Sequence, residues 1–218
     1  MFTELIDTLR CPNAHEDSWL VATSTRADGR HIMHGTLGCP VCRATFEIVE
    51  GEVLFSTAPV VTPAAVFDDD AAFRLAAQLH LVEAPQPVLL VGTWSAAAQP
   101  LRRLLSHVTM LVGDVAPHGA ADRRISALRL PAHGIPLAAD ALRALALDAA
   151  HAWPEFLTHA ARVVRATGRL VAPASTPLEA GVWRILATDA DVVVAERLPA
   201  SSALVQLARA PSKPLFTP

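Results

Sequence analysis

The chain has 218 residues, 52% hydrophobic and 18% charged, with a net charge of −3 and a pI near 6.3. That balance supplies a buried core and excludes a largely disordered chain, and it gives no general attraction to phosphate backbones, so nucleic acid is not indicated by charge. Even the most apolar stretch, residues 85–98, is broken by prolines, a glycine and polar residues, which excludes a membrane-spanning helix there.

Residues 1–7 carry acids and neither a basic nor an apolar leader pattern, so the expectation is a cytoplasmic protein without a secretory signal. Residues 1–56 differ in texture from the rest. They hold all three cysteines, together with His15, His31 and His34, in short runs punctuated by Gly29, Gly35, Gly38 and Gly51. A segment of this size needs a metal, disulfides or a partner surface to be stable. An odd cysteine count in a reducing compartment argues against a disulfide framework. Residues 57–66 are rich in proline, threonine and valine and read as an extended linker.

From 67 to 212 apolar strand-like runs alternate with helix-like segments, the pattern of a parallel sheet with crossover helices. A helix is expected over 68–82, opened by Asp68, Asp69 and Asp70. Strands follow at 88–91, 109–112, 125–128 and 145–148, with a helix over 96–106. A further helix over 154–166 starts at Pro154 and stops before Gly168. Strands at 169–172, 192–196 and 203–209 complete the sheet, the last two as an antiparallel hairpin. Residues 213–218 form a tail.

Cys39-Pro40-Val41-Cys42 is a C-x2-C knuckle, a turn that points two sulfurs at one tetrahedral ion. Cys11-Pro12-Asn13-Ala14-His15 adds a sulfur and an imidazole at a spacing that one turn can present. Cys11, His15, Cys39 and Cys42 together make a Cys3His set that uses every cysteine in the chain, with His34 as the substitute for His15. The competing readings are buried cysteines packing as small hydrophobes and a redox pair. A redox pair needs a helix directly after the motif, whereas Thr45-Phe46-Glu47-Ile48-Val49 alternates like a strand. A closed four-ligand site leaves no open position for water, so the zinc is expected to be structural.

Three stretches carry a likeness: Leu5-Ile6-Asp7-Thr8-Leu9-Arg10-Cys11-Pro12, Gly35-Thr36-Leu37-Gly38-Cys39-Pro40-Val41-Cys42, and Phe46-Glu47-Ile48-Val49-Glu50-Gly51-Glu52-Val53-Leu54. Over residues 3–55 the chain resembles the zinc-ribbon subunit that activates tRNA and protein methyltransferases, and its short bacterial relatives. That family opens with C-x2-C where this chain has Cys11-x3-His15. The resemblance implies a ribbon that holds a methyltransferase or precedes one in the same chain.

The remainder, residues 66–210, resembles a class I methyltransferase domain, the Rossmann-like fold that binds S-adenosylmethionine. The likeness is carried by the stretches at 87–96, 130–140 and 156–171, the last being the most specific. It implies an α/β fold: a mostly parallel sheet with helices on both faces, preceded by the small zinc-ribbon β domain. The likeness also implies a cofactor turn at Gly92 and Trp94, with Asp114 as the only nearby acid for the ribose. Where the family has an acid on its first strand this chain has Leu90. Only Gly92 of the turn glycines remains, Trp94 and Ala96 standing where others would be, and Val112 aligns with the ribose acid, two residues before Asp114. Each polar cofactor group left unmet costs on the order of 1–3 kcal/mol.

The expectation is therefore a pseudoenzyme with no catalytic residue assigned: cofactor binding is lost or weak, and the zinc-containing chain serves as a binding or scaffold protein for a protein partner or another copy of itself. The alternative is an active methyltransferase with an atypical turn. Trp94 filling the space above Gly92 would favour the first, and an open cleft beside Asp114 the second. His107, His118, His133, His151 and His159 read as loop or surface histidines, and Trp153 and Trp183 as packing residues.

Overall fold

Val88 to Val91 are four consecutive buried apolar residues, the pattern of a strand covered on both faces. In the computed structural model, which describes residues 1–58, 66–81, 86–114, 124–132 and 134–199, they form such a strand. The described strands are β1 (Val21–Asp28), β2 (His31–Gly38), β3 (Thr45–Val49), β4 (Glu52–Leu54), β5 (Val88–Val91), β6 (Met110–Gly113), β7 (Ile125–Arg129), β8 (Leu142–Ala146), β9 (Val164–Pro173), β10 (Trp183–Thr188) and β11 (Val192–Arg197). The described helices are α1 (Asp69–Gln78), α2 (Ala98–Leu104) and α3 (Pro154–Val163). None is long and apolar enough to cross a membrane. The linker residues 59–65, the strand expected at 203–209, the tail at 213–218, and His118 and His133 lie outside the described residues.

Local sequence explains the helix ends. Asp68 caps α1, its Oδ1 accepting the Ala71 N–H at 2.7 Å, with Asp69 and Asp70 in the first turn, where acids suit the helix dipole. The helix expected over 96–106 is delayed. The chain first makes a 3-10 turn over Gly92–Ala97, tightened by the Ser95 hydroxyl donating to the Gly92 carbonyl, and α2 begins only at Ala98. Pro154 opens α3 as expected, but the helix gives way at Val163, because Val164 already pairs with Leu142 as the first residue of β9.

The strands form one sheet in the order β1-β2-β3-β4-β7-β6-β5-β8-β9-β11-β10. The expectation of a mostly parallel sheet is corrected to a mixed one. The neighbours from β4 through β7, β6, β5 and β8 to β9 are parallel, and those on either side are antiparallel. The reason is that the amino-terminal meander β1 to β4 joins the sheet edge: Glu52, Val53 and Leu54 pair with Ala127, Leu128 and Arg129. Among the described residues β11 pairs with β10 on one side and β9 on the other, both antiparallel. Trp183 begins β10 and is buried, as a packing residue should be.

Alternate residues of β5 face opposite cores. Leu89 and Val91 join a cluster with Leu9, Leu37, Val53, Phe156 and Leu170, while Val88 and Leu90 join one with Leu75, Leu101 and Met110. Helices α1 and α2 therefore cover one face, and α3 with the amino-terminal segment covers the other. The first cluster runs unbroken from Leu9 to Leu170, so the meander shares its core with the rest of the sheet.

At the junction Glu52, 3% exposed, receives Arg129 Nε and Nη2, both at 3.1 Å. Deleting one partner of such a pair strands the other charge. Arg129→Met should lower the free energy of urea unfolding by about 3 kcal/mol or more, and adding Glu52→Gln should recover most of that loss, as a double-mutant cycle would measure.

Candidate functional site

The loop carrying Cys11 is closed by its own backbone. Cys11 N–H donates to Ser18 O at 3.0 Å, and Arg10 pairs with Trp19 as an isolated bridge. The knuckle is closed by Arg43 N–H donating to Cys39 O at 3.0 Å, with Arg43 taking a positive φ of 60° to complete the turn. These two loops bring Cys11, His15, Cys39 and Cys42 together, one ligand atom from each lying within 4.8 Å of the others.

The spacing fits a metal. A tetrahedral ion with Zn–S of about 2.3 Å sets S···S edges of about 3.8 Å and S···N edges of about 3.5 Å. Cys11 Sγ lies 3.7 Å from Cys42 Sγ, and Cys39 Sγ lies 3.4 Å from His15 Nε2. His15 Nδ1 is 2.6 Å from Glu16 O, which fixes that nitrogen as the N–H and leaves Nε2 free to ligate. Burial pushes the Cys11 thiol up, as do the sulfurs beside it. For Cys39 burial acts in the same direction, but the backbone N–H groups of Cys42 and Val41 outweigh it and draw the thiol down. His34 lies elsewhere, 2.8 Å from Glu50 Oε1, so the alternative ligand is not part of the cluster.

A second constellation forms where the sheet order reverses. The chain runs outward from β5 through β6 to β7 and then returns to β8 on the other side of β5. The carboxyl ends of β5 and β8 diverge and leave a crevice. A cavity of about 400 Å³ lies there, lined by Gly92, Thr93 and Asp114, by Asp148 and His151, and by Trp153, Phe156 and Arg129.

Of the residues expected to hold a cofactor, Gly92 and Asp114 reach this cavity and Trp94 does not. Trp94 turns to the opposite face, its Nε1 donating to Leu147 O at 3.1 Å and its ring packing on Phe67 with centroids 5.5 Å apart. Trp94 therefore does not fill the space above Gly92, because the 3-10 turn that follows β5 rotates it onto the α1 and α2 face. Asp114, directly after β6 with φ of 54°, does point inward.

Two residues given no site role by sequence shape the crevice. Asp148, just beyond β8, accepts the Thr93 N–H at 2.8 Å, and a Cβ added to Gly92 would lie 2.1 Å from Asp148 Oδ2. His151 bridges the acids: its Nδ1 is 2.7 Å from Asp148 Oδ1 and its Nε2 is 3.2 Å from Asp114 Oδ2. The other oxygen of Asp114 accepts the Leu130 N–H at 2.8 Å. Far from being a surface histidine, His151 has only 13% of its side chain exposed. Burial opposes its charge, but hydrogen bonds to Asp114 and Asp148 prevail and raise its pKa to about 9. Asp148 is held below the ordinary carboxylate range: burial alone would raise it, and the bonds from His151 and the Thr93 N–H overcome that. The sequence signal was slight, an Asp and a His three residues apart just after an apolar run.

No family model matches the chain, and no curated protein matches it. Among solved structures it is similar to a protein proposed to be a sarcosine dimethylglycine methyltransferase from Galdieria sulphuraria, at 17% identity over 48% of this chain and 44% of that one, with a TM-score of 0.38. It is also similar to the (4+2)-cyclase SpnF, at 15% identity over 54% and 51% with a TM-score of 0.38. A third is a proposed methyltransferase from Bacillus halodurans, at 18% identity over 48% and 49% with a TM-score of 0.36. The chain spans about half the length of each of these structures.

Two outcomes follow from the geometry. Metal analysis should find about one zinc per chain, and Cys39→Ser should abolish it and lower the thermal midpoint. The His151 clasp should make stability depend on pH. A histidine whose pKa rises from 6.5 unfolded to about 9 folded stabilises fully below pH 6.5, and that contribution disappears as pH climbs through 9. Denaturation between pH 6 and about 9.5 should reveal a loss of up to about 3 kcal/mol in the native chain, and His151→Gln should flatten the profile.

Proposed function

We propose that the chain is a zinc-stabilised, methyltransferase-like binding protein whose cofactor seat has its polar groups occupied from within. The observation that carries the reading is the Asp148 carboxylate standing over Gly92 and accepting the Thr93 N–H. In a class I methyltransferase-like fold the turn after the first strand must offer bare backbone to the methionine part of S-adenosylmethionine. Here that backbone already has an internal acceptor. Asp114, which the ribose hydroxyls would need, has one oxygen on the Leu130 N–H and the other on His151. The groups present do not fit the cofactor as they stand, and no methyl-transfer step is assigned to them.

The reversal of strand order at β5 and helices on both faces support the Rossmann-like assignment. The Cys3His geometry supports zinc in a structural role: four protein ligands close the tetrahedron and leave no place for a reacting water. The binding role, toward a protein partner or a second copy, draws support from the sheet edges. Among the described residues β1 and β10 are the outermost strands of the sheet. Trp19 and Val21 beside β1 are 62% and 63% exposed, and Ile185 on β10 is 59% exposed. Open edges with apolar side chains invite strand or surface pairing.

The second reading, an active methyltransferase with an atypical turn, is favoured by both features set out for it, Trp94 turned away from Gly92 and the open crevice beside Asp114, and by Trp153 and Phe156 in the crevice wall. Isothermal titration separates the two. The native chain should show no binding of S-adenosylmethionine at cofactor concentrations up to about 1 mM, whereas micromolar binding would establish the second reading.

A further inference from the structure

A second cavity, of about 300 Å³, lies between the metal loop and α3, with Arg10, Asn13 and Asp17 on one side and Ile135, His159 and Arg162 on the other. Both arginines are anchored from behind. Arg10 Nη1 donates to Asp7 O at 2.9 Å and Leu9 O at 2.8 Å, and Arg162 donates from Nη1 to Leu137 O at 2.7 Å and from Nη2 to Ile135 O at 3.0 Å. Guanidinium groups fixed in this way lose little further freedom when they meet a ligand.

Among the described residues His159 Nδ1 is buried with no hydrogen-bond partner, and buried Arg10 Nε has only the Asp17 carboxylate beside it, as an ion pair. Arg10 as a whole is only 8% exposed. Unmet buried polar atoms are uncommon and call for a partner, whether water or a ligand. His159 is pressed against Gly134, where an added Cβ would come within 2.5 Å of its ring. Gly134 has a φ of 140°, a conformation that leaves room for the imidazole. Burial and the neighbouring Arg162 hold the His159 pKa below the ordinary histidine value, so the ring is neutral and presents Nδ1 without a charge of its own.

The fixed donors point to the ligand class. Asp17 is the only acid among the described residues that line the cavity. Its carboxylate lies 3.4 Å from Arg10 Nε, and 63% of its side chain is exposed. Two guanidinium groups face one exposed carboxylate and the single negative charge that three thiolates would leave on a bound zinc at the Cys11 and His15 wall, so the charges balance and fixed donors in a concave, partly buried space are what would offer an oxyanion charge-assisted hydrogen bonds.

We propose that this cavity is a binding site for a small oxyanion group, phosphate or carboxylate, held by Arg10, Arg162 and His159, with Asp17 as the internal competitor that guards it. The site is separate from the crevice at Gly92, so it stands or falls independently of whether S-adenosylmethionine binds. Because the loop from Cys11 to Asp17 forms one wall, the zinc that closes that loop also shapes the site.

The test is isothermal titration of the zinc-loaded full chain, in a buffer free of oxyanions, with inorganic phosphate and separately with malonate. Saturable one-site binding of either anion is expected, and the preferred one names the ligand class. Asp17→Asn should tighten binding about tenfold by removing the competitor, and His159→Leu should weaken it about tenfold. Zinc content and near-ultraviolet circular dichroism report whether each variant keeps its fold. Should His159→Leu fail that control, Asp17→Asn, a surface change, decides alone. Absence of saturable binding by both anions, the result for a merely water-filled cavity, overturns the proposal. So does an affinity that Asp17→Asn leaves unchanged.

Discussion

The amino-terminal meander has too little apolar surface to hold itself together, and its solution to that shortage shapes the rest of the molecule. Three residues of β4 lie in parallel register beside β7, and the Glu52 to Arg129 pair locks the junction. A buried ion pair adds little net stability over a packed apolar pair, but its geometry is exacting, so it fixes the register of the two segments. With β4 in place, Leu9, Leu37 and Ile48 share one core with Leu89, Phe156 and Leu170. The metal loops are then supported from beneath by the sheet, and the isolated bridge from Leu9 to Leu137 seats them against the segment before β8.

Two concave sites result, and they differ in electrostatic character. At the switch point the polar groups satisfy one another: a histidinium lies between two carboxylates, and a backbone N–H that could have met a ligand is already taken by Asp148. Such a network is stable because each member is satisfied by the others. Beside the Cys11 loop the pairing is incomplete: His159 Nδ1 is buried with no hydrogen-bond partner among the described residues. One site is an open crevice whose polar groups are already paired with each other, and the other retains unmet hydrogen-bonding capacity.

Much of the chemistry was legible in the residues, for local reasons. The Cys39 to Cys42 knuckle and the Cys11 to His15 turn are short-range motifs whose geometry follows from their spacing, and the four ligands do converge. The β5 run and the Asp68 cap are likewise local, and both appear where the pattern put them. Other expectations depended on what lay across the sheet. The side to which Trp94 turns was set by the tightness of the 3-10 turn at Gly92 and the apolar face waiting on α1 and α2. The place of β1 to β4 depended on β7 offering an edge, which no pattern in residues 1–56 records.

The amino-acid sequence by itself determined the four Cys and His side chains that could hold a metal and the alternation of strands and helices. Only the tertiary structure decided which polar groups meet at the crevice. Thr93 and Asp148 are 55 residues apart and Asp114 and His151 are 37 apart, and they meet because the strand order reverses at β5. Spacing along a chain constrains groups within a turn or two, whereas groups on separate strands are brought together by sheet order and register, which depend on the pairing of the whole molecule.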